Sequence, residues 1–171
     1  MREEMLRLLA APRGPELIGT TLDYGLLPQV LGLAPRPGLL ARLSSLQAAL
    51  GLAPDAVLRL AALAVEVPED AERLCTRFRL SNEVTARLVR ASMRAPAIDP
   101  NASESAGKAY LYAEGAAAFH ERVLLAWARS GDAPASAAWR LRLALPERWQ
   151  APNFPLGGND VMALGIPAGP R

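Results

Sequence analysis

Residues 54–65 read Pro54-Asp55-Ala56-Val57-Leu58-Arg59-Leu60-Ala61-Ala62-Leu63-Ala64-Val65. Wound as a helix, the stretch places Val57, Leu58, Leu60, Leu63 and Val65 on nearly every side. A helix that is apolar all round has to be surrounded by other elements, so this one is expected at the centre of the fold. The segment before it, 38–50, carries Leu39, Leu43, Leu46 and Leu50 on a single stripe, which suits a helix packed on one face only.

Outward from this pair, proline and glycine cut the chain into short helical pieces. Upstream, a helix over 3–11 ends at Pro12-Arg13-Gly14. A second over 15–24 has Pro15 in its first turn and Gly25 after its end. A short turn is expected over 26–32, and Ala34-Pro35-Arg36-Pro37 marks a subdomain boundary. Downstream, helices are expected over 69–78 and 82–95, the latter capped by Ser81 with Val84 and Leu88 turned inward. A loop over 96–101 precedes a helical pair, 103–112 and 115–130. Gly131-Asp132-Ala133-Pro134 breaks the chain, one last long helix follows over 135–145, and 149–155 reads as an extended connector. No period-two alternation is long enough for a strand. The fold class is therefore all-α, an irregular bundle or stack of about eleven short helices.

Composition agrees. Hydrophobic residues make up 51% and charged residues 21%, so a core can form, and β-branched and aromatic residues are scarce. The net charge is only +2, yet the nineteen basic residues include a single lysine, Lys108. Arginine is the better fork for phosphates, although a GC-rich genome produces the same bias. The lone cysteine, Cys75, shares a helical face with Ala71, Leu74 and Phe78 and reads as a buried thiol. The charged Met1-Arg2-Glu3-Glu4 start and the lack of any apolar run near the roughly 20 residues of a membrane span point to a cytoplasmic protein without a membrane partner.

Catalytic constellations are thin. His120 is the sole histidine and lies on the stripe of Ala116, Phe119, Val123 and Trp127, with no second imidazole or thiol to complete a metal site. Gly107-Lys108-Ala109 lacks the rest of a phosphate loop. Trp127, Trp139 and Trp149 read as core anchors. The remaining signal is basic. Arg87, Arg90 and Arg94 share one helical face, Arg73 and Arg77 pair at helical spacing, and Arg140 and Arg142 flank Leu141. These are either phosphate contacts or an ordinary solvated face, with Glu83 and Arg87 as a pair four residues apart.

The C-terminal stretch adds a motif. Asn159 or Asp160 can cap a short helix over 161–164, and Gly165 can end it. Ile166-Pro167-Ala168-Gly169-Pro170 then forms a rigid turn. This is half of a helix–hairpin–helix, a device that offers backbone N–H groups to a phosphate. The stretch closely resembles the C-terminal signature of the bacterial CCA-adding enzyme/poly(A) polymerase family, the tRNA nucleotidyltransferases. Pro155, Leu156, Gly158, Asp160, Val161, Leu164, Gly165, Ile166, Gly169 and Pro170 match it. At the other end, Arg2-Glu3-Glu4-Met5-Leu6-Arg7-Leu8-Leu9 resembles the helix after the family's Glu-Arg-Ile signature. Tyr24-Gly25-Leu26-Leu27-Pro28-Gln29-Val30-Leu31 is similar to its Gly-Leu-Leu-x-x-Leu-Pro segment, with Pro28 displaced.

The resemblance implies the end of a neck (1–35), a helical body (36–150) and the first part of a tail (151–171). In that family two metal-holding carboxylates, Asp-x-Asp on a strand, transfer the nucleotide from a head domain. Here the six aspartates are isolated and no Asp-x-Asp occurs, so no catalytic residue and no cofactor are assigned to this chain; magnesium and ATP or CTP would belong to a head domain in the same parent chain. Glu69-Asp70-Ala71-Glu72-Arg73 matches the family's base-reading string but falls on the wrong side of the helix that should follow it. Acidic residues after Pro68 that favour a helix N-terminus explain it better. The implied role is to grip the acceptor and T-arm backbone of tRNA, or other structured RNA, by duplex shape. The implied RNA-binding residues are Arg73, Arg77, Arg87, Arg90, Arg94, Arg140, Arg142, Gly165, Gly169 and Arg171. The alternative is a stand-alone helical module, protein-contacting or purely structural, that does not bind RNA.

Overall fold

The computed structural model of the chain describes residues 1–92, 98–150 and 152. Among them are ten helices and no strand: α1 (Arg2–Ala10), α2 (Gly14–Asp23), α3 (Leu26–Leu31), α4 (Pro37–Ala49), α5 (Ala56–Ala64), α6 (Pro68–Phe78), α7 (Asn82–Ser92), α8 (Glu104–Ser130), α9 (Ala137–Leu143) and α10 (Leu145–Arg148). The protein is all-α, and no helix of the described residues is long and apolar enough to cross a membrane.

Asp55 starts the central helix. Its Oδ1 accepts from the N–H groups of Val57 and Leu58, both at 2.9 Å, which satisfies two donors that the first turn leaves open. Every residue of α5 from Leu58 to Ala64 is buried. The helix divides the interior into two apolar clusters. Leu60, Ala61, Leu63 and Ala64 face the first, with Met5, Leu9, Ile18 and Leu31 from the N-terminal helices and Leu74 and Leu88 from α6 and α7. Leu58 and Ala62 face the second, with Leu43, Phe119, Val123 and Trp127. Burying one leucine of this kind stabilises the fold by roughly 1.5–3 kcal/mol. In the second cluster Trp127 and Trp139 stack with ring centroids 5.9 Å apart and planes 10° from parallel.

Three expectations change and one holds. The 26–32 turn is a helix, α3, held between Gly25 and Gly32, both left-handed (φ 67° and 71°). Leu27 and Leu31, one turn apart, are its buried face, and Pro28 is tolerated because it falls in the first turn. The long helix over 135–145 is two pieces. Ala144 sits at the junction with φ −78° and ψ 3°, and Pro146, which has no N–H to continue the ladder, opens α10. The expected pair 103–112 and 115–130 is present: both lie within α8, which Gly115, non-helical at φ 83° and ψ 171°, breaks into two helices. Cys75 is only half-buried, because it lies at the edge of the Ala71–Leu74–Phe78 stripe; its Sγ approaches the Leu80 carbonyl at 3.9 Å. The C-terminal helix and hairpin read over 161–170 lie outside the described residues.

Candidate nucleic-acid interface

Many of the arginines terminate helices. A helix leaves its last carbonyls without intrahelical donors, and a guanidinium from a neighbouring helix can supply them. Arg59 of α5 donates to the carbonyls of Leu9 (2.8 Å) and Ala11 (3.2 Å) at the end of α1. Arg77 of α6 holds Val30 (2.5 Å) and Gln29 at the end of α3. Arg36 holds Val65 at the end of α5, Arg42 holds Ala128 in α8 (2.8 Å), and Arg129 holds Ala91 in α7 (3.0 Å).

The arginines singled out in the sequence fall into different environments. Arg87 is half-buried between two carboxylates, Asp55 Oδ2 at 2.5 Å and Glu121 Oε1 at 2.7 Å. Burial opposes its charge, but the hydrogen bonds and charges of Asp55 and Glu121 outweigh burial and raise its pKa. Its charge is thus compensated within the protein. Arg142 is buried and gathers the loop before α8, donating to Asp99 O at 3.1 Å and to the carbonyls of Pro100, Ala102 and Ser103. Arg140, two residues earlier, is exposed and donates to Pro134 O at 3.1 Å, so the two point apart.

Arg73 and Arg77 line one open cleft together with Glu69 and Glu72. Asp70 caps α6 by accepting from the N–H groups of Glu66 (3.0 Å) and Val67 (3.1 Å), the helix-start role favoured for the Glu69–Arg73 string. Arg90 is half-buried with an Nε that has no partner among the described residues. Arg94, Gly165, Gly169 and Arg171 lie outside the described residues. His120 Nε2 lies 3.1 Å from Leu143 O, tying α8 to α9. No group of three potential metal ligands occurs among the described residues.

The strongest basic site uses other arginines. Arg36, Arg42, Arg122 and Arg129 line one cleft of about 990 Å³ between the start of α4, the second half of α8 and the 98–101 loop. Two carboxylates share it, Asp99 and Asp132, and both hold protein donors. Asp132 Oδ2 accepts from Trp139 Nε1 at 2.6 Å and Ser130 Oγ at 3.0 Å, and Asp99 Oδ1 accepts from the Asn101 N–H at 2.8 Å. Arg122 lies 4.8 Å above the Tyr110 ring. A guanidinium fixed by a carbonyl or an aromatic face is oriented without losing its charge, and with five N–H donors it can bind a second acceptor. Sequence reasoning missed these four residues. The available signal was Arg122 and Arg129 seven residues apart on α8, hence on one face, with Ala126 between them.

No protein-family model and no solved structure matches the chain. A segment is 39% identical over 74 residues to an uncharacterized 28 kDa protein in the petA 5′ region of Rhodospirillum rubrum; the match covers 40% of this chain and 29% of that protein.

Proposed function

We propose that this chain is an RNA-binding helical body, non-catalytic by itself, of a CCA-adding enzyme/poly(A) polymerase-like tRNA nucleotidyltransferase. Its task is to hold the tRNA backbone while a head domain of the parent chain adds nucleotides to the 3′ end. The observation that carries the RNA reading is the cleft in which Arg36, Arg42, Arg122 and Arg129 converge, with two carboxylates, Asp99 and Asp132, among its described lining and Arg36 also paired with Glu66 at 3.9 Å. Oriented guanidinium groups are the usual means of binding phosphates in A-form RNA, whose sequence is hidden in a narrow major groove. The resemblance of both chain ends to that family supplies the tRNA part of the reading.

The test is equilibrium binding to a tRNA lacking its CCA end, across a salt series. Saturable binding that weakens as salt rises supports the reading. A folded sample that fails to bind at low salt overturns it.

A stand-alone protein-contact module is the second reading. It is favoured by the compensated charge of Arg87 and by Leu17, Tyr24 and Leu26, which are half or more exposed around α2 and α3. Failure of tRNA binding together with self-association or partner binding lost on Tyr24→Ser would support it.

A further inference from the structure

Resting on the RNA reading, we infer that the four-arginine cleft receives an unpaired nucleotide, its base inside the cleft and its phosphates on the arginines. The lining separates into two chemistries. Leu39 and Trp139 are buried and, with Ile98 and Ala126, give the cleft an apolar floor. The basic part is the four arginines, of which Arg42 is exposed.

Duplex RNA presents a convex row of phosphates, so it can reach arginines at a rim but cannot enter a concavity. Its bases are stacked above and below and offer no free face. A loop, bulge or single strand does offer a free face, and apolar floors in basic grooves bind such bases with little regard to sequence. The volume of about 990 Å³ lies within the range of small-molecule clefts and is ample for one nucleotide unit. The cleft therefore adds recognition of single-stranded or looped RNA to a body otherwise expected to read duplex shape.

Gly38 provides the means of testing this. It lines the cleft, and a Cβ added there meets nothing within 4 Å, so a tryptophan can occupy the opening without disturbing the core. The experiment compares binding of the full chain to oligouridylate and to an RNA duplex of equal charge, for the wild type and Gly38→Trp. The expected result is oligouridylate binding tighter by about tenfold, with Gly38→Trp removing that preference.

Three results overturn the inference. If the duplex binds as well as or better than the single strand, the cleft takes backbone only and the RNA reading stands. If the single-strand preference survives Gly38→Trp in a folded variant, the base binds elsewhere. If no RNA binds at low salt, the RNA reading fails with it. Should Gly38→Trp not fold, photo-crosslinking of 4-thiouridine RNA to the wild type decides between the same outcomes. Crosslinks at Leu39 or Ile98 support the inference, and crosslinks confined to other peptides overturn it.

Discussion

Arg59 Nε and Gln47 Oε1 meet at 2.8 Å in the interior, joining α5 to α4, and both residues are almost fully buried. Burial lowers the pKa of Arg59 and the nearby Asp55 charge opposes that shift. The same guanidinium closes the end of α1 through Leu9 and Ala11. One side chain therefore fixes three helices.

Removing it takes the guanidinium donor from a buried amide oxygen and from the Leu9 carbonyl, while the Ala11 carbonyl keeps the Gly14 N–H at 3.0 Å. Arg59→Met is expected to destabilise the fold by about 2–4 kcal/mol. Gln47→Leu in the Arg59→Met background should recover part of that loss, because one unsatisfied group is replaced by an apolar one. Urea unfolding of the single and double variants measures both effects. An Arg59→Met variant as stable as the wild type would contradict this arrangement.

Gly115 tests the kink in α8. Its φ of 83° with ψ of 171° is a region that only glycine occupies readily, yet an added Cβ would meet nothing within 4 Å. Any cost of Gly115→Ala is thus conformational, expected at about 1–3 kcal/mol. Gly38→Ala, in open space within α4 and without a positive φ, should instead stabilise by about 0.5 kcal/mol. Opposite signs in thermal melts would bear out both assignments.

Glu104 ties α10 to the start of α8. Hydrogen bonds from Lys108 (3.2 Å) and Arg148 (3.0 Å) hold its carboxyl below the ordinary value of 4.5. A carboxyl whose folded pKa is depressed contributes stability above its unfolded pKa and loses it as pH falls through the folded one. The docking of α10 should therefore weaken only on acidification below about 4.5. An NMR titration of Glu104 should give a midpoint below that value, raised by Arg148→Gln; a midpoint at or above it in the wild type would contradict the pairing.

The central helix was legible because seven consecutive residues, Leu58 to Ala64, are buried and their apolar character is unbroken except by Arg59. Arg59 itself was not, since nothing in its neighbours tells that its partners are carbonyls fifty residues away. The α3 helix was hidden by Pro28, a residue that reads as a turn but fits a first turn equally well. The break at Ala144 was missed for the opposite reason, as Pro146 lies just after an apolar run that periodicity alone extends.

The site was the least legible part. Helical spacing finds arginines that share a face, as it did for Arg87 and Arg90, but it cannot see that Asp55 and Glu121, more than thirty residues away on either side, compensate Arg87. Nor can it see that Arg36, Arg42, Arg122 and Arg129 converge, because the two pairs lie on elements some eighty residues apart in sequence and meet only when α4 packs on α8.

The most direct measurement is the salt dependence of tRNA binding for the wild type, Arg42→Gln and Arg140→Gln. Arg42 lines the cleft; Arg140 is exposed but lines a different cavity. If the cleft takes the RNA backbone, Arg42→Gln should lower the slope of log K against log salt by about one, the loss of a single phosphate contact, and Arg140→Gln should leave it unchanged. A slope untouched by Arg42→Gln in a folded variant, or lowered equally by Arg140→Gln, would contradict the cleft as the RNA site.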